Sequence, residues 1–207
     1  MDADVSGLTT KLRALGQSPW LEMTERISEF YWLLKTQYYY RHFFGRIGSK
    51  SKLILPMRLR NVGNIHIGDG VLINKFAFLL TLQLEEELRP SLSIGDGSVI
   101  GHMNHITCVR EVWIGKNVLT ADRVYISDHS HAFSDIGRPI LSQSVVSKGR
   151  VTIGDGSWIG ENVAILSCNI GKNCVIGANA VVLKDVPDYC VAVGNPARIV
   201  KRFGPDA

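Results

Sequence analysis

Aliphatic residues recur every six positions through much of this 207-residue chain. The beat is plainest from Val151 to Lys184: Ile153, Ile159 and Ile165, then, after a five-residue step, Ile170, Ile176 and Val182. Gly154, Gly160, Gly171 and Gly177 each follow one of these aliphatics. Neither helical spacing of three and four nor strict alternation generates this pattern. A short fixed period is the mark of a stacked solenoid. It predicts a prism wound from very short parallel strands, each aliphatic pointing inward onto its counterpart one coil away. Each such Ile or Val contributes about 1.5–3 kcal/mol on burial. Glycine permits the tight corner that follows, and Asp155, Asn162 and Asn173 suit the turn positions. A β-sandwich would space its turn signals about 8–12 residues apart, which fits poorly.

The same beat predicts where the coils begin and break. Residues 1–46 lack it. Leu8 to Leu15 reads as a short helix stopped by Gly16, and Ser18-Pro19 as the start of a second helix. Met23, Ile27, Phe30, Tyr31, Leu34 and Tyr38 follow helical spacing there. Trp20, Trp32, Tyr39, Tyr40, Phe43 and Phe44 add aromatic surface, and Lys35, Arg41 and Arg46 add positive charge. This aromatic-rich segment is expected to cap the open end of the solenoid; contact with a membrane surface is the second reading.

Coils are expected over residues 47–187, with Leu53, Ile65, Ile67, Ile73, Ile94, Ile100, Ile106, Val112, Ile114, Thr120 and Ile126 inward. Residues 84–91 interrupt them as a solvated loop carrying Glu85, Glu86 and Glu87. Residues 128–150 leave the prism as an excursion, and loops leaving a rigid scaffold are where chemistry tends to sit. Val186-Pro187 is expected to end the coils, leaving residues 188–207 as a C-terminal extension.

Composition adds bounds. Hydrophobic residues make up 45% and charged residues 20%, the profile of a soluble globular protein. A net charge of +4 suits an anionic cofactor or a membrane surface and is too small to indicate nucleic acid. Cys108, Cys168, Cys174 and Cys190 form no CxxC pair, and no signal-like stretch precedes them. They are expected to be reduced and structural, in the cytoplasm. No apolar run of about 18 residues predicts a transmembrane helix.

The tracts IGDGSWIG, IGKNCVIGANAVVLKDVP and VAVGNPARIV resemble the hexapeptide-repeat acyltransferases. The resemblance is closest to the sugar O-acetyltransferases of surface-polysaccharide synthesis, within the maltose, galactoside and xenobiotic acetyltransferase group. It covers roughly two-thirds of the chain. It implies an all-β solenoid, a left-handed parallel β-helix, assembled as a homotrimer. Periodicity itself carries no hand, and a left hand departs from the usual right-handed crossover. The resemblance also implies acetyl transfer from acetyl-CoA to a carbohydrate acceptor, with pantetheine held in a groove between two subunits.

Four of the six histidines, His102, His105, His129 and His131, fall in two short tracts. His129 lies three residues after inward Ile126, where the chain begins its excursion, so it is expected at a coil edge. A histidine there can take the proton of a sugar hydroxyl near neutral pH. The resemblance places the catalytic base at His129, with His131 the runner-up or an acceptor contact. Asp128 either orients an imidazole or the acceptor, or closes a turn. Asn104 and His105, about one coil earlier, are candidate contacts for acceptor hydroxyls. By position Trp158, Gly160, Ala178, Lys184 and Arg198 match the family's cofactor-contact region. Trp158 offers a flat wall, Gly160 and Ala178 give pantetheine amides access to the backbone, and Lys184, Arg198 and Lys201 pair with CoA phosphates. The chain departs from relatives at Leu183, where Thr or Ser is common, and at Glu161, where Ser or Ala is common.

Other classes use the same scaffold. An N-acyltransferase acting on an amino sugar is the nearest. A zinc enzyme of the γ-carbonic-anhydrase type would need three protein ligands, and the expected His-x4-His spacing is absent, so no metal is expected. A non-catalytic scaffold is the third.

Overall fold

In the computed structural model, which describes residues 19–84 and 87–204, three parallel walls enclose columns of aliphatic side chains. The chain visits the walls in turn. Arg46–Ile47, Lys52–Leu53 and Arg58–Arg60 make the first coil, and Ile65–Ile67, Leu72–Ile73 and Phe78–Thr81 the second. Ser91–Ile94, Val99–Ile100 and His105–Cys108 make the third, and Glu111–Ile114, Leu119–Thr120 and Tyr125–Ser127 the fourth. After the excursion come Val151–Ile153, Trp158–Ile159 and Ala164–Leu166, then Val175–Ile176 and Val181–Val182. Corresponding strands stack as walls of five, eight and six strands among the described residues, all paired in parallel except the last strand of the eight, Arg198–Arg202.

Register explains the sixfold beat. On the first wall Ile47 pairs with Ile67, Ile67 with Ile94, Ile94 with Ile114 and Ile114 with Ile153. On the third wall Leu59, Leu79, Ile106, Ile126, Ile165 and Val182 stack one per coil. Nearly all of these side chains are buried. The one polar intrusion read from the sequence, Thr120, is also buried, and its hydroxyl accepts the Gly101 amide at 3.1 Å.

Two polar devices close the corners. Buried Ser98 donates to the Gly115 carbonyl at 2.7 Å and accepts the Val118 amide at 3.0 Å; Ser157 repeats this with Gly171 and Cys174. The aspartates of the corners reach one coil back. Asp69 accepts from Ser49 N, Asp96 from Asp69 N, Asp155 from Lys116 N and Asp188 from Lys172 N. Asp155 is therefore a tie between coils as well as a turn residue. Asn162 and Asn173 adopt the left-handed backbone expected of turn residues, at φ 56° and 49°.

The N-terminal segment departs from the expectation. Helix α1 (Pro19–Tyr38) forms, but its apolar stripe does not face the prism: Trp20, Met23, Ile27, Phe30, Tyr31, Leu34 and Tyr38 are all exposed. Polar groups do the capping instead. Thr36 accepts the Leu53 amide at 2.9 Å, and Gln37 donates to the carbonyls of Gly48 and Ser51 at 3.0 and 3.1 Å. The reason is that the first coil has no preceding coil to satisfy its backbone, and unpaired buried backbone groups are costly. The helix expected over Leu8 to Leu15, the Ser18 cap and Glu85 and Glu86 lie outside the described residues.

Two boundaries move. The first strand starts at Arg46, within the segment expected to precede the coils. At the other end Val186-Pro187 does not stop the winding. Val186 still bridges Ile170, and Cys190–Val193 pairs in parallel with Val175–Ile176. The proline sits at a corner, where its carbonyl accepts the Cys174 thiol at 3.0 Å. Arg198–Arg202 then folds back antiparallel to close the wall.

Candidate active site

Residues 128–150 leave the prism at the edge after the third wall. They return through a two-stranded antiparallel ribbon, His129–His131 with Val145–Ser147. The sequence showed the departure but not the ribbon. Ser147 fixes its base by donating to the Asp128 carbonyl at 3.1 Å.

Asp128 is fully buried. Its carboxylate accepts the amides of Val109, Arg110 and Glu111 at 2.9, 2.7 and 2.9 Å. It also meets His129 Nδ1 at 3.1 Å. Burial works against the charged form, but the hydrogen bonds from His129 and the three amides outweigh it and hold the carboxyl below its ordinary range. The aspartate therefore closes the corner and also meets the imidazole. Beside it, burial and the Asp128 charge push the Cys108 thiol up, so Cys108 stays protonated. All four cysteines are free and buried.

The His129 side chain is only 11% exposed. Ser127 Oγ donates to the His129 carbonyl at 3.0 Å and lies 3.1 Å from Nδ1. Asp128, as a carboxylate, can only accept. The proton therefore resides on Nδ1, shared between Asp128 and Ser127. Nε2 keeps its lone pair and makes no hydrogen bond among the described residues.

The other predicted residues divide. His105 faces outward on the third wall, its Nε2 2.9 Å from Thr107 Oγ1. Burial, and after it the Arg58 charge, lower its pKa and favour its neutral form. His131 is exposed, two residues along the ribbon from His129. Asn104 requires correction: it is fully buried, donating to the Ala121 carbonyl at 2.9 Å and accepting the Val124 amide at 3.1 Å. Its amide is consumed within the prism and is not presented to an acceptor. His102 pairs with Asp122 at 3.2 Å.

The expected cofactor residues lie on more than one wall. Trp158 is half exposed on the outer side of the second wall, in register with Leu119 and Val175. Gly160 and Ala178 occupy the corner between the second and third walls. Lys184 follows the third-wall strand Val181–Val182, and Arg198 opens the closing antiparallel strand; both are exposed. Gly160 also has a reason within the fold. A Cβ there would lie 2.6 Å from Ala178 N and 2.8 Å from Ile176 O, so the stacking of coils alone demands glycine. Glu161 forms an ion pair with Arg123 of the preceding coil, which gives that departure a structural purpose. Among the described residues no three His, Cys, Asp or Glu side chains are grouped as a metal site requires.

Sequence reasoning missed the neighbours of His105. Phe78, His105 and Tyr125 are consecutive rungs of one outward column. The Phe78 and His105 rings lie 5.0 Å apart, and those of His105 and Tyr125 5.2 Å. Aligning the coils on their inward aliphatics would have exposed the column.

Comparison with known proteins yields no matching family model but clear relatives. A probable acetyltransferase from Mycobacterium tuberculosis, Rv3034c, is 38% identical over 151 residues, 67% of this chain and 50% of that protein. This chain thus matches half the length of that relative. The putative lipopolysaccharide biosynthesis O-acetyl transferase WbbJ of Escherichia coli is 32% identical over 155 residues, 72% of this chain and 76% of its own length. A maltose O-acetyltransferase from Clostridium difficile superposes with a TM-score of 0.51 at 26% identity, covering 88% of this chain and 86% of that one. An N-acyltransferase from Bacillus cereus, AntD, in complex with a dTDP-amino sugar and coenzyme A, gives a TM-score of 0.68 at 22% identity, covering 83% and 90%; at that identity the likeness concerns the fold. The periodic walls are those of the left-handed β-helix, and this chain belongs to the hexapeptide-repeat acetyltransferase family.

Proposed function

We propose that this chain transfers an acetyl group from acetyl-CoA to a sugar hydroxyl, with His129 as general base. One observation carries the reading: the Nδ1 proton of His129 is held by Asp128 and Ser127, leaving the Nε2 lone pair uncommitted at the edge of the prism. Nε2 takes the hydroxyl proton as the sugar oxygen attacks the thioester carbonyl. The new C–O bond gives a tetrahedral oxyanion, for which a backbone N–H is a suitable donor. Collapse breaks the C–S bond, and the imidazolium returns its proton to the departing CoA thiolate. The buried Asp128 carboxylate stabilises the transient imidazolium in the manner of a triad aspartate. Holding both substrates together supplies the proximity term, and no acyl-enzyme forms.

Trp158 stands on the second wall and His129 on the ribbon that leaves the third, which favours a cofactor groove completed by a neighbouring chain in a homotrimer. In that groove Trp158, Ala178, Lys184, Arg198 and Lys201 are the candidate CoA contacts. The role named for the Escherichia coli relative supports an acceptor in surface polysaccharide or glycolipid synthesis. Among the described residues no helix is long and apolar enough to cross a membrane. The exposed stripe of α1 is the surface for peripheral contact with the inner membrane from the cytoplasmic side. The second reading, N-acylation of an amino sugar, is favoured by the fold shared with AntD. Thiol release from acetyl-CoA against a panel of hexoses, amino sugars and lipid-linked oligosaccharides separates these readings. O-acetylated products support the first, N-acetylated products the second, and thiol release with neither class rejects both.

A further inference from the structure

We propose that the acceptor is a glycosyl phosphate or diphosphate lying along the outer side of the third wall. Its hydroxyl sits at His129, its ring against His105, Tyr125 and Phe78, and its anomeric phosphate at Arg58 and Arg60. The proposal rests on the acetyl-transfer reading and specifies the substrate class of the same site.

Register supplies the geometry. Arg58 pairs with Phe78, Phe78 with His105 and His105 with Tyr125, so four outward side chains form one column. Arg60 begins the next column, which runs through Leu80 and Thr107 to Ser127, the residue that touches His129. From the level of Tyr125 down to Arg58 is three rungs, about 14 Å at ordinary inter-strand spacing. A hexose ring with its anomeric phosphate, met by the long arginine side chain, bridges that interval. A neutral monosaccharide at His129 would leave the arginine end empty.

Charge supplies the class of ligand. Arg58 and Arg60 are part of the exposed surface or nearly so, and neither has a carboxylate partner among the described residues. Four basic side chains of the coils do, Lys52 with Glu29, Lys116 with Asp96, Arg123 with Glu161 and Lys172 with Asp188, whereas Arg46, Lys50, Lys75 and Arg110 share the unpaired state of Arg58 and Arg60 among the described residues. Two carboxylates beside the third wall are already committed, Asp122 to His102 and Asp128 to its amides and His129. Among the described residues the wall therefore ends in two guanidinium groups without an ion pair, and guanidinium matches phosphate oxygens in geometry as well as charge. Burial, and after it the Arg58 charge, favour the neutral form of the His105 ring. A neutral His105, with Nε2 against Thr107, keeps Nδ1 for a sugar hydroxyl. Faces of Phe78 and Tyr125 suit the apolar face of a pyranose.

A diphosphate-linked sugar can be carried by a nucleoside or by a polyprenyl lipid, and the two share the group that Arg58 and Arg60 would bind. The full chain, saturated with CoA so that the cofactor's own phosphate contacts are occupied, is titrated calorimetrically with inorganic pyrophosphate, uridine diphosphate and geranyl diphosphate. The same titrations are run on the Arg58→Met/Arg60→Met double variant, with its melting temperature and CoA affinity as controls of folding. The expected result is binding of at least one diphosphate to the wild type, weakened at least tenfold in the double variant with CoA affinity kept. Tighter binding of the uridine compound identifies a nucleotide-linked acceptor, and of the geranyl compound a lipid-linked one. Equal binding of all three supports the shared diphosphate alone. Absence of binding to the wild type, or equal binding to both proteins, overturns the proposal even where acetyl transfer to neutral sugars is found. Diphosphate binding without acetyl transfer to any sugar would instead keep the subsite and remove the transfer reading.

Discussion

Asp128 Oδ1 and His129 Nδ1 lie 3.1 Å apart although the two residues are neighbours in the chain. Adjacent residues of a strand point to opposite sides, so this contact requires the backbone to leave the third wall between them. The excursion provides that break. Asp128 remains inside, tied to three amides, while His129 opens the ribbon.

The Asp128→Asn variant tests how much rests on that carboxylate. Whichever way the amide is turned, its NH2 faces a backbone N–H that then has no oxygen to donate to. Losing one charged hydrogen bond costs about 1.5–3 kcal/mol, and each kcal/mol lowers Tm by about 2–4 °C in a chain of this size. The folded-state pKa of Asp128 is depressed, so its contribution is complete above the unfolded value near 3.8 and is lost as pH falls through the lower folded value. Thermal melts should show a wild-type advantage at neutral pH that shrinks below 3.8. An advantage that persists undiminished in acid would contradict the assignment.

Ile126 is fully buried and paired with Ile106 and Ile165 on either side. Ile126→Ala should cost about 2–5 kcal/mol, read as a fall in the midpoint of denaturant unfolding. A loss below 1 kcal/mol would mean that the column relaxes around the gap.

At Gly160 the restriction comes from the backbone one coil away. Gly160→Ala must displace the Gly160 N to Ile176 O bond of 2.8 Å, and overpacking of this kind costs about 1–3 kcal/mol. Thermal melting should show the loss with or without CoA. A loss of CoA affinity at unchanged Tm would restore the pantetheine role first expected of this residue.

The walls were legible because one constraint repeats. Every coil needs an inward aliphatic at the same station, so Ile153, Ile159 and Ile165 announce all three walls. His129 was legible for the opposite reason: it stands three residues past Ile126, where the repeat fails. Residues that answer to a neighbouring coil were harder to read. Asn104 looked like a surface amide because nothing in its own tract shows that Ala121 and Val124 consume it. The stripe on α1 looked like a core-facing surface, yet Thr36 and Gln37 make the attachment, since an open coil end needs polar caps more than apolar cover. Val186-Pro187 looked like a stop because proline cannot join a ladder, but at a corner no ladder bond is needed from it.

The division of the candidate site between walls makes a prediction about assembly. Light scattering coupled to size exclusion should give the mass of three chains. A fully active monomer would contradict a groove shared between subunits.

The most direct measurement is the turnover of His129→Ala with acetyl-CoA and an accepted sugar, alongside the CoA affinity of the same protein. Turnover should fall by at least about 100-fold, the scale of general-base catalysis, with CoA still bound as in the wild type. Turnover close to that of the wild type would contradict the account.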